Sequence, residues 1–306
     1  MCYSAQIVDA WQSFVRKTGA TISVSEFARL YGFRLSDRSV RIPKAVDAAF
    51  AAPTTDIERS IKADIDAYNA EQTTTWEQEL FRQRKRLADA ERTLQTKTTK
   101  AATESRRIAG AKVEWLLGKL AGLRREELLP EDARFFPGWY APVIVMERGE
   151  KVVKPMRYQC RPAGKPASYD RQYPGTYNAR RDNLEGFWRG QFGVTHGLMP
   201  VRKFYENVQR DATNVVLEFE PGDGQPMLVA CLWSRWTGPE GELLSFAAIT
   251  DDPPVEVAAA GHDRCIIPIK PENVDAWLHP DPGGLAASYA ILDDRQRPYY
   301  EHRLAA

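Results

Sequence analysis

The stretch NVVLEFEPGDGQPMLVACLWSRWTGPEGELLSFAAIT, residues 214–250, decides the fold class. Asn214–Phe219, Met227–Trp233 and Leu243–Thr250 are short runs rich in β-branched and aromatic residues. Pro221-Gly222-Asp223-Gly224 and Gly238-Pro239-Glu240-Gly241 separate them, and both are dense in turn formers. Strands at this spacing predict an antiparallel meander. Upstream, Ala141–Met146 reads as a further strand, Gly149-Glu150 as its turn and Lys151–Val153 as the return. Downstream, Pro271 opens a short helix ending near Leu278.

Residues 57–129 differ in texture. Glycine and proline become sparse, charge density rises, and Ile57, Ile61, Ile65 and Tyr68 fall at helical spacing. Leu80, Leu87, Leu94, Ala101, Ile108 and Trp115 recur every seven residues, but the companion heptad positions are mostly polar. An apolar seam one residue wide predicts a long, largely solvated helical hairpin rather than a coiled coil. Lys85, Arg86, Arg92, Lys97 and Lys100 read as its wet face, with nucleic acid as the alternative contact. Ahead of the hairpin, Ala5–Arg16 reads as a helix. Ser23 to Glu26 has capping-box spacing before a short helix that Gly32 ends, and Pro43 starts another that runs to Phe50. The chain is therefore expected to be α+β, with an antiparallel β core, flanking helices and a long inserted helical arm. Its parts are an N-terminal segment 1–56, the arm 57–129 and the main β-rich portion 130–306.

With 306 residues, 43% of them hydrophobic, the chain can bury a substantial core. A formal charge of +1 means that any anionic partner must meet a local patch. Cys2, Cys160, Cys231 and Cys265 lie far apart without a C-x-x-C pair, which argues against a zinc site or a disulfide framework. There is no signal-peptide pattern and no apolar run of spanning length, so a soluble, cytoplasmic protein with no membrane partner is expected.

Cys2 has a chemical distinction. Once Met1 is removed, it carries a free α-amine and a thiol on adjacent carbons. An aldehyde can form an imine with the amine and then close to a five-membered thiazolidine through the thiol. The two groups titrate at about 8 and 8.5, so modest tuning makes either reactive near neutrality.

Four stretches in order share a pattern: Met1-Cys2, then Tyr177-Asn178-Ala179-Arg180, then Leu198-Met199-Pro200 leading to Phe204-Tyr205-Glu206, then Gly261-His262-Asp263-Arg264. Together with Tyr140–Ile144, Met156-Arg157-Tyr158 and Phe246–Thr250, this series resembles the SRAP family, the SOS-response-associated peptidases. The resemblance covers the start of the chain and roughly residues 135–280. It departs where the family's G-F-Y-E-W becomes Lys203–Asn207, where M-C-G-R becomes Met1–Ser4, and where H-D-R-M-P becomes His262–Ile266. The family's members sense abasic sites in single-stranded DNA and crosslink to them through an N-terminal cysteine. The resemblance therefore implies Cys2, Asn178, Glu206 and His262 as catalytic residues, self-catalysed loss of Met1, and a weak lyase activity at the imine stage. It implies DNA contacts at Arg157, Tyr158, Arg180, Arg189 and Thr250, and nucleoid association when bound. No metal or organic cofactor is required.

The residue types suit those roles. The Asn178 amide can both donate and accept, as fixing a sugar oxygen requires. Glu206 alternates onto the same face as apolar Phe204, so partial burial is expected for its carboxyl. Imidazole titrates near neutrality, at about 6.5, which suits His262 to proton transfer as the sugar ring opens. From Arg148 to Arg210 the chain is locally basic, with Tyr158, Tyr169, Tyr173, Tyr177, Phe187 and Trp188 interleaved, as a single-strand platform needs. Two other readings stay open. Cys2 can be a hydrolase nucleophile with His262 as base and Asn178 or Glu206 as orienter, or the chain can be a nucleic-acid-binding scaffold whose arm, of unknown partner, mediates assembly.

Overall fold

The computed structural model describes residues 3–8, 10–210, 213–239 and 241–305. Met1, Cys2 and Glu240 thus lie outside the described residues. In chain order the helices are α1 Trp11–Lys17, α2 Val24–Ser36, α3 Lys44–Ala48, α4 Asp56–Thr96, α5 Lys100–Arg124, α6 Tyr169–Gln172, α7 Val255–Ala259, α8 Val274–Leu278 and α9 Leu285–Asp293. The strands are β1 Ser4–Ile7, β2 Thr21–Ile22, β3 Arg134–Phe135, β4 Tyr140–Glu147, β5 Glu150–Tyr158 and β6 Asn178–Arg180. They continue with β7 His196–Arg210, β8 Thr213–Pro221, β9 Met227–Gly238, β10 Gly241–Asp251, β11 Cys265–Ile266 and β12 Tyr300–Leu304.

The fold is α+β, and among the described residues its strands form one sheet that closes on itself. β10 pairs with β5, β5 with β4, β4 with β7, β7 with β9, and β9 with β10. Closure explains why β4, read as PVIV from Pro142 to Val145, has no polar alternation. One side fills the barrel and the other is covered, and Val143, Ile144 and Val145 are all fully buried. Most pairings are antiparallel, but β2–β5, β5–β10 and β6–β10 are parallel. The predicted strands are present, yet the meander is not continuous. β8 pairs with β7 and β12 and makes no pairing with β9, whereas β9 and β10 do form a hairpin. β7 is long enough to serve both partners, its first half lying on β9 and its second on β8. Strand patterns report burial, not which neighbour supplies it.

The beginning of the chain also differs from the sequence expectation. Ser4–Ile7 is a strand, paired with β7 through Ser4↔Tyr205 and Ala5↔Phe204, and the helix begins only at Trp11. All four β1 residues are buried, so pairing with β7 overrides the helical spacing of Ile7, Val8 and Trp11. α2 continues through Gly32 to Ser36, because Arg34 in its last turn is bonded to Asp47 of α3 at 2.9 Å. The β4–β5 turn is Arg148-Gly149, one residue earlier than expected, with both φ angles positive as a tight hairpin requires.

α4 and α5 form the helical hairpin. Thr55 and Glu58 make a reciprocal capping box at the start of α4, and Thr99 caps α5. At its base, Ile61 and Ile65 enter the main core beside Phe27, Tyr31 and Phe50. Farther out, Leu80, Leu116 and Leu120 pack with Trp76 and Val113 in a small separate cluster. The seven-residue seam does not run on from α4 to α5. Ala102, Ala109 and Leu116 face inward, one position beyond the expected Ala101, Ile108 and Trp115, because the connection at 97–99 resets the register.

Candidate active site around Glu206 and His262

Glu206 lies in the middle of β7 and is 1% exposed. Its Oε2 stands 3.2 Å from His262 Nε2 and accepts the Tyr3 backbone N–H at 3.3 Å. The same Tyr3 N–H also reaches the Tyr205 carbonyl at 3.1 Å, continuing the β1–β7 ladder to the start of the chain. β1 is held in place by its own side chains. Gln6 accepts from the Tyr205 hydroxyl at 3.0 Å, and Ser4 accepts from Arg134 Nε, also at 3.0 Å. Arg134 in turn lies over the Tyr205 ring, 3.7 Å from its centroid.

His262 follows α7 and precedes β11, and it reaches Glu206 because Gly261 precedes it. Gly261 has φ +100°, and a Cβ there would lie 2.8 Å from Val208 Cγ1, two residues beyond Glu206 on β7. On the far side of the imidazole, Nδ1 is 2.9 Å from the Arg264 carbonyl. A carbonyl can only accept, so Nδ1 carries the hydrogen, and in the neutral ring Nε2 is an acceptor facing Glu206. Burial pushes the Glu206 carboxyl well above the usual carboxylate range and holds His262 below the usual imidazole value. Both shifts favour a protonated Glu206 donating to a neutral His262. The pair is a poised proton donor and acceptor.

Asn178 is also buried, at 8% exposure, and neither atom of its amide has a hydrogen-bond partner among the described residues. It begins β6, which pairs in parallel with β10 through Ala248↔Asn178 and Thr250↔Arg180. Thr250, wholly buried, likewise has an unpartnered hydroxyl, and it lies opposite Ile266 of β11. Thus β10 joins Asn178 and Thr250 on one side to the strand that leaves His262 on the other. An amide or hydroxyl buried without a partner costs about 1–3 kcal/mol, a cost tolerated where a ligand supplies the missing bond.

The expected DNA contacts divide. Arg180 is exposed and paired with Asp182 at 3.0 Å, and Arg189 is also exposed. In the same part of the chain Tyr173 and Phe187 expose their rings beside Tyr169, whose centroid is 4.4 Å from that of Tyr173. Arg157 and Tyr158 are placed otherwise. The Arg157 guanidinium is ion-paired with Asp170 at 2.8 Å and only 15% exposed. Tyr158 is wholly buried, packed between Phe246, Phe135 and Tyr177, with no ring face left for a base. Trp188 is buried too. The alternation of basic and aromatic residues does not distinguish a ring in the core from a ring on the surface.

Two contributors escaped the sequence reading. The Tyr3 amide and the Arg264 carbonyl are backbone groups, so no residue type marks them. The three described cysteines, Cys160, Cys231 and Cys265, are buried and free, and burial pushes the Cys160 thiol up to about 12. None of them is a nucleophile at neutral pH.

Several solved structures are similar to this chain. A protein from Bordetella bronchiseptica is 19% identical, with 57% of this chain and 87% of that chain covered and a TM-score of 0.48. One from Bacteroides thetaiotaomicron is 17% identical, covering 58% and 80%, with a TM-score of 0.49. A phage-related protein from Bordetella bronchiseptica is 18% identical, covering 60% and 85%, with a TM-score of 0.45. No curated protein matches the chain. The sequence profile described as SOS response associated peptidase (SRAP) matches residues 92–303, a span that holds Asn178, Glu206, His262 and most of the barrel, and the chain therefore belongs to the SRAP family.

Proposed function

We propose that this SRAP protein binds single-stranded DNA containing abasic sites and, after loss of Met1, joins Cys2 to the lesion as a thiazolidine. The observation that carries this reading is the position of the Glu206–His262 pair. Its carboxyl oxygen accepts from the amide nitrogen of Tyr3, the atom bonded to the carbonyl of Cys2. A proton-transfer pair is thus anchored one peptide from the aminothiol. Family membership links the chain to the DNA-damage response, and the buried thiols elsewhere leave Cys2 as the candidate nucleophile.

The ring-opened abasic sugar offers an aldehyde. The Cys2 amine adds to its carbon, and the resulting carbinolamine loses one water to give an imine. Glu206 supplies the proton on the departing hydroxyl, and the proton that the iminium nitrogen then gives up returns to Glu206 by way of His262 Nε2. The Cys2 sulfur then adds to the imine carbon while the nitrogen takes up a proton, closing the ring. Asn178 holds a sugar oxygen through its otherwise unpartnered amide. Arg180, Arg189, Tyr173 and Phe187 provide a route of cations and rings for the strand. Holding amine, thiol and aldehyde together makes a slow condensation effectively intramolecular. By the same reading, hydrolytic release of Met1 uses Glu206, and strand cleavage at the imine stage is a side reaction.

The test is incubation with an abasic single-stranded oligonucleotide followed by a denaturing gel. A heat-stable adduct is expected, absent in Cys2→Ala and in protein carrying an extra residue before Cys2. Normal crosslinking by protein with a blocked N-terminus would overturn the mechanism.

A further inference from the structure

The α4–α5 arm is polarised in charge. Residues 56–81, nearest the barrel, hold seven Asp or Glu against two Lys or Arg, a net of −5. Residues 82–112, the distal half, hold ten Lys or Arg against three Asp or Glu, a net of +7 in a chain whose total is +1. Three ion pairs engage arginines of the distal half, Arg82–Glu79, Arg92–Asp89 and Arg107–Glu104, each between near neighbours on one helix and at the surface, and they tie up little charge. Arg84, Lys85, Lys97, Lys100 and Arg106 are exposed and enter no ion pair among the described residues. A solvated helix needs balanced charge to lower self-repulsion, and this one concentrates like charges at its free end instead.

We propose that the distal arm binds the phosphate backbone of duplex nucleic acid, at a surface separate from the single-strand route beside Asn178. Charge complementarity makes the partner a polyanion. The absence of rings makes it a duplex: residues 82–112 contain no Phe, Tyr or Trp, so nothing there can stack on unpaired bases. Between the two helices runs a groove of about 530 Å³ lined by Arg82, Lys85 and Arg86 against one carboxylate, Asp89, with Thr93, Thr99 and Ser105 beside them. Three cations against one carboxylate, over a floor of alanines, suit phosphate oxygens approached across small side chains. α4 is about 60 Å long at 1.5 Å per residue, so it is a rigid carrier for such a surface.

The test compares the full chain with the fourfold variant Arg84→Gln, Lys85→Gln, Lys97→Gln, Lys100→Gln on an intact duplex over several salt concentrations. Duplex affinity at low salt is expected to fall by about tenfold or more, and the salt slope to flatten by about 0.9 for each phosphate that the variant no longer neutralises. The rate of adduct formation on abasic single strands should stay unchanged, so failure of the crosslinking reading and failure of this one are separable. In the unaltered protein, duplex should slow amide hydrogen exchange within 82–112. Unchanged duplex affinity and slope, unprotected arm amides, or binding to phosphatidylserine vesicles without binding to duplex would each overturn the proposal.

Discussion

Glu206 and His262 are a carboxyl and an imidazole that hold one proton between them, and this makes their pH behaviour specific. Native Glu206 keeps a proton that the unfolded chain releases above about pH 4.3, so its contribution to stability is lost as pH rises toward its native pKa. Native His262 stays neutral where the unfolded imidazole protonates below about pH 6.5, so its contribution is lost as pH falls through that range. Where both groups titrate, the two slopes oppose each other. Glu206→Gln should therefore gain stability relative to the unaltered protein as pH rises from about 4.3 toward the raised native pKa of Glu206, at up to about 1.4 kcal/mol per pH unit. Urea unfolding at three pH values measures this, and a pH-independent difference would mean that native Glu206 is ionised. Gly261 makes a sharper geometric point. Gly261→Ala places a methyl against Val208 and takes the backbone out of its permitted region, so it should slow adduct formation as much as His262→Ala while leaving affinity for undamaged strands intact. Full crosslinking by Gly261→Ala would show that His262 need not meet Glu206.

At the scale of elements, the arm is fastened to the body by a buried charge network. Arg34 of α2 is 4% exposed, donates to both oxygens of Asp47 on α3, and lies 3.7 Å from the Tyr68 ring centroid on α4. Tyr31 donates to the same Asp47 at 2.8 Å. Lys44 covers the end of α5 by donating to the Gly122 carbonyl at 2.6 Å. Arg34→Ala would leave the Asp47 charge buried without its counter-ion, and a loss of about 3–5 kcal/mol is expected by denaturant titration. Arg34→Ala with Asp47→Ala should cost less than the single change, since no unpaired charge remains. A double variant no more stable than Arg34→Ala would mean that packing, not charge, carries the junction.

For the whole molecule, two surfaces sit on different kinds of support. Glu206, Asn178 and Thr250 belong to strands of one closed sheet, and His262 sits just ahead of another, over a core that runs continuously from Ala5 to Tyr300. The basic arm tip stands apart on two helices with a core of a few residues. Chemistry needs fixed geometry, whereas binding a polyanion needs only charge within reach. Arg180→Ala should flatten the salt slope for intact single strands by about 0.7, the value of one phosphate on a single strand, and Asn178→Ala should leave that slope unchanged while slowing the covalent step. An unchanged slope in Arg180→Ala would move the single-strand route away from β6.

What the sequence determined by itself is a set of local decisions: most of the strands, two long helices in the stretch of sparse glycine and proline, and the burial of Glu206. Each follows from periodicity or turn chemistry within a few residues, which act before any long-range contact forms. The site residues Asn178, Glu206 and His262 were legible only as an ordered series of motifs, since each triplet alone is commonplace. Tertiary structure decided the rest. Ser4–Ile7 became a strand because β7 offered it an edge, at a separation of nearly 200 residues. Tyr158 went into the core and Tyr173 to the surface although both sit in the same basic, aromatic stretch, because only Tyr158 lies on a barrel strand. The proton pair itself depends on Gly261 lying against Val208 and on two backbone groups that carry no sequence label. Burial, partner choice and backbone contacts belong to pairs of distant residues, so no local pattern encodes them.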